Sequence, residues 1–436
     1  MGVLLVVVYG LLILSPLITV AALWMKGEMT LMHETGTSAA FAAYGIIALQ
    51  PVLTARWKFV ERPFGLDVIS RFHRYMGLFA AALLLSHPPL MAYGGAGVKL
   101  LLTLEQPWYV LLGKAVLVLL LINVCVSMWY ARFGLGFEQW RRFHNVLAMI
   151  VIPCAFVHSW WSGYDMGPKP MVLLWFGLLG LTVWAYVDRK LVQPMRLERR
   201  PYRVSDVEQE THNVWTVKLA PPEGERIYDH HPGQFHFVTL YRSEGVPVEE
   251  HHWTISSSPT QREHISSTIK ESGDFTSTIG RTAPGDTAIV QGPFGRFSYT
   301  LYPQDKEYVF IAGGIGITPF MSMLRHMRDT GNDAEVLLIY ANSTEQDIVF
   351  RSEIEEMEHG TRPRLSVIHV VGKPDEGWTG QSGRLTPEAL VRLVGPDSED
   401  RAYYVCVPPG MAKVVIRGLR SMGVPYRRMR REEFSL

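Results

Sequence analysis

Apolar residues dominate the first part of the chain in six stretches of about twenty residues, at about 3–24, 38–56, 69–92, 108–130, 143–161 and 171–188. Each is long enough to cross the hydrocarbon core of a bilayer as a helix, so the pattern predicts six transmembrane helices. After Pro201 the apolar runs shorten and alternate with polar residues between Gly and Pro punctuation. Val214 to Leu219, Gln234 to Leu240 and Thr287 to Gln291 predict strands of an antiparallel barrel with roughly six members. From Glu307 the rhythm becomes strand, glycine loop, helix. The pairs are Tyr308–Ala312 with Pro319–Arg328, Val336–Tyr340 with Ile348–Glu358, Leu365–Val370 with Pro387–Leu393, and Tyr403–Val407 with Met411–Met422. Such alternation implies a parallel sheet with helices on both faces. The expected fold is therefore multidomain: a six-helix transmembrane bundle over 1–190, an antiparallel β-barrel over 200–303 and an α/β parallel-sheet domain over 304–436.

Charge sharpens the first boundary and orients the bundle. Of the 83 Asp, Glu, Lys and Arg residues, 22 fall in residues 1–190 and 61 in the remainder. Arg56, Lys58, Arg62, Arg71 and Arg74 lie between spans two and three, Arg132, Arg141 and Arg142 between four and five, and a cluster from Arg189 to Arg203 follows span six. The other loops carry one basic residue each, Lys26, Lys99 and Lys169. By the positive-inside rule both termini and the domains after span six are expected to be cytoplasmic, in a plasma or inner membrane. Met1 leads straight into an apolar stretch without a basic leader, which reads as a retained helix. Val6 excludes the usual myristoylation pattern. Lipid is thus an expected partner, and the net charge of +1 gives no reason to expect nucleic acid. Cys125, Cys154 and Cys406 form no C-x-x-C pair and no metal-ligand spacing.

Histidine supplies the candidate chemistry of the bundle. His73 and His87 lie on span three, and His144 and His158 on span five, each pair fourteen residues apart. Fourteen residues is close to four helical turns, so each pair shares one face within about 40° and is spread over about 21 Å. Spans three and five run in the same direction, which lets His73 face His144 near the inner side and His87 face His158 near the outer side. Opposed neutral imidazoles are suitable axial ligands for haem iron. Ionisable groups inside a span are costly and need a reason. Arg71, Arg74, Arg141 and Arg142 beside the inner pair suit either haem propionates or positive-inside anchoring. Met25, Met29, Met32 and His33 at the first outer loop suit metal attraction or, more simply, interfacial packing.

Short motifs mark the domains after span six. His251, His252, Trp253, Thr254, Ile255, Ser256 and Ser257 follow Pro232, Gly233, Gln234 and Phe235, and Lys270, Gly273, Asp274, Phe275 and Thr276 form a further short run with glycine. Gly313, Gly314, Ile315, Gly316, Ile317, Thr318 and Pro319 join a predicted strand to a helix, whose bare N-terminus suits a pyrophosphate. Cys406, Pro408, Pro409, Gly410 and Met411 follow a later strand. In this order, and behind the histidine-bearing bundle, these motifs resemble the ferric reductase and NADPH oxidase superfamily over nearly the whole chain.

The resemblance implies that His251, Trp253, Thr254 and Ser256 line FAD, with Gly273 and Thr276 at its phosphates. It implies that Gly313, Gly314, Gly316, Thr318 and Pro319 hold NADH or NADPH, with Cys406 and Met411 near the nicotinamide and Phe434 covering the flavin ring. His252 stands where the family has proline, and Val407 where it has glycine. The implied activity is transfer of electrons from NAD(P)H through FAD and two b-type haems, held by His73, His87, His144 and His158, to a small extracytoplasmic acceptor such as ferric chelate or dioxygen. Ser343 occupies a place where arginine would favour a 2′-phosphate, and dinucleotide preference stays open. No EF-hand loop is visible, so calcium control is not expected. Two rivals remain: a membrane-anchored flavin reductase without haem, and a channel or proton carrier governed by a nucleotide-sensing domain.

Overall fold

The computed structural model describes residues 1–22, 30–163, 166–396 and 399–432. It divides into two compact units, Met1–Gln193 and Pro194–Leu436.

In the first unit the long helices are α1 (Gly2–Ala22), α2 (Leu31–Thr54), α4 (Leu66–Met91), α6 (Trp108–Trp129), α7 (Phe137–Ser162) and α8 (Lys169–Val187), with short α3 (Lys58–Phe64) and α5 (Lys99–Leu102) between them. All six long helices are apolar and long enough to cross a membrane. Two, α2 and α7, start well before the predicted spans, at Leu31 instead of 38 and at Phe137 instead of 143. Thr30 caps α2 by accepting from the His33 amide at 3.3 Å, and the polar first turn of α7 is held by an Arg141–Glu138 pair at 2.7 Å. Helical hydrogen bonding continues into polar turns that a hydropathy window leaves out. α7 also runs through Pro153 unbroken.

The core of this unit lies where α2 meets α8. Trp175 is fully buried, stacked on Tyr44 at 5.0 Å and edge-on to Phe41 at 5.1 Å, and its indole N–H donates to Ser159 at 2.8 Å. Thr182 donates to the Ala48 carbonyl at 2.6 Å, so its hydroxyl is satisfied in an apolar setting. α4 packs chiefly on α2, and α7 chiefly on α6. Large apolar side chains such as Leu4, Phe79 and Leu173 stay exposed.

The second unit opens with the short helix α9 (Gln193–Glu198) and contains two sheets. Strands β1 (Tyr202–Thr211), β2 (Val214–Ala220), β3 (Phe235–Tyr241), β4 (Glu250–Thr254), β5 (Ile265–Lys270) and β6 (Thr287–Phe294) form one antiparallel sheet in the order β4-β3-β6-β1-β2-β5. A single bridge between Ile255 and Ser267 links its two edges. The other sheet contains β7 (Glu307–Gly313), β8 (Glu335–Asn342), β9 (Arg364–Val371), β10 (Gln381–Ser382), β11 (Ala402–Cys406) and β12 (Met429–Arg431), all parallel, in the order β10-β9-β8-β7-β11-β12. Around it lie α10 (Thr318–Asp329), α11 (Arg351–His359), α12 (Pro387–Val394) and α13 (Pro409–Ser421). Strand order reverses between β7 and β11, and ligands of open α/β sheets bind outside the carboxyl ends of strands at such a switch point. The glycine loop leaves β7 there and the Cys406 loop leaves β11. Phe297, from the loop after β6, packs on Phe320 and Tyr404, so the two sheets share core contacts.

Candidate functional site

Within the membrane unit the histidines of α4 and α7 come near one another in two couples. The rings of His73 and His144 lie 6.1 Å apart, centre to centre, at 70°. Two nitrogens at about 2 Å from an iron, each about 1.1 Å from its ring centre, would place the centres roughly 6 Å apart. His87 lies within electrostatic reach of His158. Among the described residues no three His, Cys, Asp or Glu side chains gather as a metal cage, and axial ligation needs only two opposed imidazoles.

Hydrogen bonds fix which nitrogen each ring offers. His87 Nδ1 donates to the Gly36 carbonyl at 2.9 Å, and His158 Nδ1 donates to the Tyr109 carbonyl at 2.7 Å. A carbonyl oxygen only accepts, so each neutral ring carries its proton on Nδ1 and leaves the Nε2 lone pair free. His144 Nδ1 meets Asn123 Oδ1 at 2.9 Å, with Ser127 Oγ at 3.1 Å. Outer partners of this kind orient and strengthen a histidine ligand. His73 Nδ1 is buried without a partner. Gly113 completes the outer pair: a Cβ there would overlap the His158 ring, with 2.6 Å to Nδ1 and 2.7 Å to Nε2. The spacing of His73 and His144 fits axial ligation of a haem, and His87 and His158 offer free Nε2 lone pairs. Asn123 was readable as one of few polar residues within an apolar span, whereas the two carbonyls leave no mark in the sequence. Arg71 and Arg141 already have partners on their own helices, Asp67 at 2.9 Å and Glu138 at 2.7 Å. Of the first outer loop, Met25 and Met29 lie outside the described residues, and Met32 is exposed.

In the antiparallel sheet, β4 and the glycine turn meet. His251 stacks on Trp253 at 5.7 Å and lies 4.2 Å from Phe275, whose ring carries the Arg242 guanidinium at 4.5 Å. His251 Nε2 lies 3.0 Å from Glu249. His252 pairs with Phe237 in register between β4 and β3. Thr254 is buried at the end of β4, opposite Phe235. The Ser256 hydroxyl is turned into the sheet, accepting from Thr268 at 2.9 Å, while its carbonyl points to α10 and accepts from Arg325. Thr276 Oγ1 accepts from the amides of Ser272 and Gly273 at 2.9 and 3.0 Å, which closes the turn, and the space over Gly273 is open. An aromatic stack beside an uncrowded glycine turn suits a flavin.

The two loops at the switch point interlock through glycine. A Cβ on Gly313 would press on Pro408 and the Met411 sulfur, and one on Gly316 would strike the Cys406 carbonyl. Gly314 has φ +53°, a conformation that favours glycine. The Thr318 hydroxyl donates to the Ile315 carbonyl at 3.1 Å, the Thr318 amide bonds the same carbonyl, and Pro319 occupies the first turn of α10. Cys406 is fully buried, and burial, with a smaller effect from the charge of Glu432, pushes its thiol well above the ordinary range. It is therefore a neutral S–H at physiological pH. Phe434 lies outside the described residues.

Residues 39–155 match the ferric reductase like transmembrane component, and residues 310–417 match the oxidoreductase NAD-binding domain. The protein is thus an oxidoreductase that joins a membrane component to an NAD-binding reductase domain. In this pairing it matches the ferric reductase and NADPH oxidase superfamily. Among curated proteins it is 29% identical over 261 residues to NADH-cytochrome b5 reductase 1 of Cryptococcus neoformans, spanning 57% of this chain and 86% of that one. It is 30% identical over 232 residues to the stachydrine N-demethylase reductase subunit of Rhizobium meliloti, spanning 52% of this chain and 64% of that one. A solved flavohemoglobin from Malassezia yamatoensis aligns over 92% of this chain and 99% of its own, with a TM-score of 0.50 and 14% identity, a likeness of fold alone.

Proposed function

We propose that the chain passes electrons from cytoplasmic NADH or NADPH, through FAD and two b-type haems, to a small acceptor across the membrane, either a ferric chelate or dioxygen reduced to superoxide. The observation that carries this reading is the pair of matched histidine couples, three of whose four rings have Nδ1 committed to a partner in the same unit. His73 with His144, and His87 with His158, would hold the haems. His251, Trp253, Thr254 and the turn at Gly273 and Thr276 of the flavin barrel would hold FAD. The loop Gly313–Thr318 and the residues Cys406 and Met411 would seat the dinucleotide. When bound, FAD accepts an electron pair and releases it singly to one-electron carriers. The protein's part is to bind, orient and exclude water, and the neutral Cys406 thiol adds no competing charge beside a hydride path. Basic loops between spans two and three and between four and five support a cytoplasmic location for the soluble unit.

The absorption spectrum of the purified full-length protein tests the reading. Two low-spin haems and one FAD per chain are expected. A haem stoichiometry near zero after expression with ample haem would leave a membrane-anchored flavin reductase, and loss of both cofactors would leave the nucleotide-sensing channel.

A further inference from the structure

A seam of polar contacts runs along one face of α10. Ser322, Arg325 and Asp329 are three and four residues apart, the spacing that puts side chains on a common helix face. The Ser322 hydroxyl donates to the Ser257 carbonyl at 2.8 Å, and Arg325 Nη1 donates to the Ser256 carbonyl at 2.7 Å. Asp329 accepts from the Thr260 hydroxyl at 2.5 Å. All three partners lie in the five residues 256–260, which directly continue the segment bearing His251, Trp253 and Thr254.

Arg325 is itself locked. Its Nε and Nη2 form a two-pronged pair with the Glu353 carboxylate at 2.9 and 2.5 Å, and its guanidinium lies 4.7 Å over the Phe350 ring. The side chain is 17% exposed, so its bond to Ser256 is largely shielded from water. A buried, charge-assisted hydrogen bond with planar geometry fixes both distance and angle.

The seam therefore ties together the two elements that hold the reactants. α10 starts at Thr318, straight after the glycine loop, and Ser322 is about one turn, or 6 Å, into it. We infer that this seam sets the distance and angle between the nicotinamide and the flavin ring, with Arg325 as its principal positioning residue. The inference rests on the flavin and dinucleotide reading above. Hydride transfer needs reacting atoms within about 3–3.5 Å, and a misplacement of about 1 Å far from the chemistry can cost about a hundredfold in rate. Arg325 and Ser322 touch neither reactant in this arrangement and transfer no proton or electron. They act by holding α10 in one register against residues 256–260.

The test uses full-length protein in detergent with FAD bound, mixed anaerobically with NADH or NADPH, whichever reduces the wild type. Arg325→Gln removes the charge-assisted bond and the Glu353 pair. The limiting rate of flavin reduction should fall at least about tenfold, with FAD content and apparent nucleotide affinity within about twofold of wild type. A primary isotope effect with 4-deuterated nucleotide should be fully expressed in the variant. Arg325→Lys, which keeps a donor for the Ser256 carbonyl, should recover most of the rate. Ser322→Ala, a milder change that preserves folding if Arg325→Gln does not, should slow reduction roughly threefold. A limiting rate unchanged in both Arg325→Gln and Ser322→Ala overturns the inference, as does a rate that falls only in step with lost FAD. Wild-type protein that binds no FAD, or whose flavin no nucleotide reduces, overturns the functional reading itself rather than the seam.

Discussion

The two units are equipped to hold cofactors by opposite means. In the membrane unit the groups on offer are side chains, the imidazoles of His73, His87, His144 and His158, because helices in lipid spend nearly all their backbone amides and carbonyls on themselves. In the second unit they are mainly loops stripped of side-chain bulk: the open space over Gly273 and the clearances at Gly313 and Gly316. A missing Cβ lets a ligand come close. Even the membrane glycine that matters, Gly113, works by making room for a side chain. Single substitutions should therefore act in an all-or-none way in the bundle and in a graded way in the second unit.

The largest expected effect is loss of a haem. Replacing His144 or His73 with leucine should remove the inner haem, so that the nucleotide still reduces the flavin but no electrons reach an external acceptor. Replacing His87 or His158 should leave an inner haem that the nucleotide can still reduce. Haem and flavin are counted on the same sample by absorbance and fluorescence. Reduction lost in the outer variants but kept in the inner ones would reverse the assigned orientation, and two haems in all four would remove these histidines as ligands.

Gly113→Val sharpens the same contrast with a residue that ligates nothing. Its side chain would occupy the space of the His158 ring, so the expected outcome is loss of the outer haem signal in most molecules, with the inner haem and FAD retained. A full complement of two haems in a folded variant would show that α6 yields to the ring.

A buried histidine of the soluble unit should titrate as a stability group instead. His236 is fully enclosed, bonded to Tyr228 at 2.7 Å and Ser267 at 2.6 Å, and burial, with a smaller effect from His230, lowers its pKa to about 3. The unfolded chain takes up this proton near 6.5 and the folded one only near 3, so stability is complete above pH 6.5 and declines as pH falls through that window. The loss by pH 4.5 is about 3 kcal/mol, at about 1.4 kcal/mol per pH unit. His236→Gln should be less stable at pH 7 but should show a shallower fall in unfolding temperature between pH 6.5 and 4.5. Equal slopes in both proteins would assign the acid sensitivity to other groups.

The smallest effect is expected at Cys406, whose thiol touches a site built mostly from backbone. Cys406→Ala should slow flavin reduction by roughly tenfold, about 1.4 kcal/mol, with FAD still bound. Because its thiol is held neutral, wild-type Cys406 should resist alkylation at pH 8.5 until the protein is unfolded, as read by peptide mass spectrometry. Unchanged flavin reduction would remove Cys406 from the site.

Much of this architecture is written in local patterns. Hydropathy alone located all six long apolar helices, and only their polar ends, as at Leu31 and Phe137, escaped it. The fourteen-residue interval placed His73 and His87 on one face, as did the matching interval at His144 and His158, because helical geometry converts spacing into direction. The order of strands and glycine loops likewise foretold an antiparallel sheet followed by a parallel one. Tertiary structure decided which carbonyls take the Nδ1 protons of His87 and His158, that Gly113 gives His158 its space, and that Gly316 faces the Cys406 carbonyl. It also decided that Ser322, Arg325 and Asp329, an ordinary polar helix face by sequence, meet residues 256–260. Periodicity reports which way a residue points along its own element, whereas these contacts join atoms distant in the chain, many of them backbone atoms that every residue type possesses.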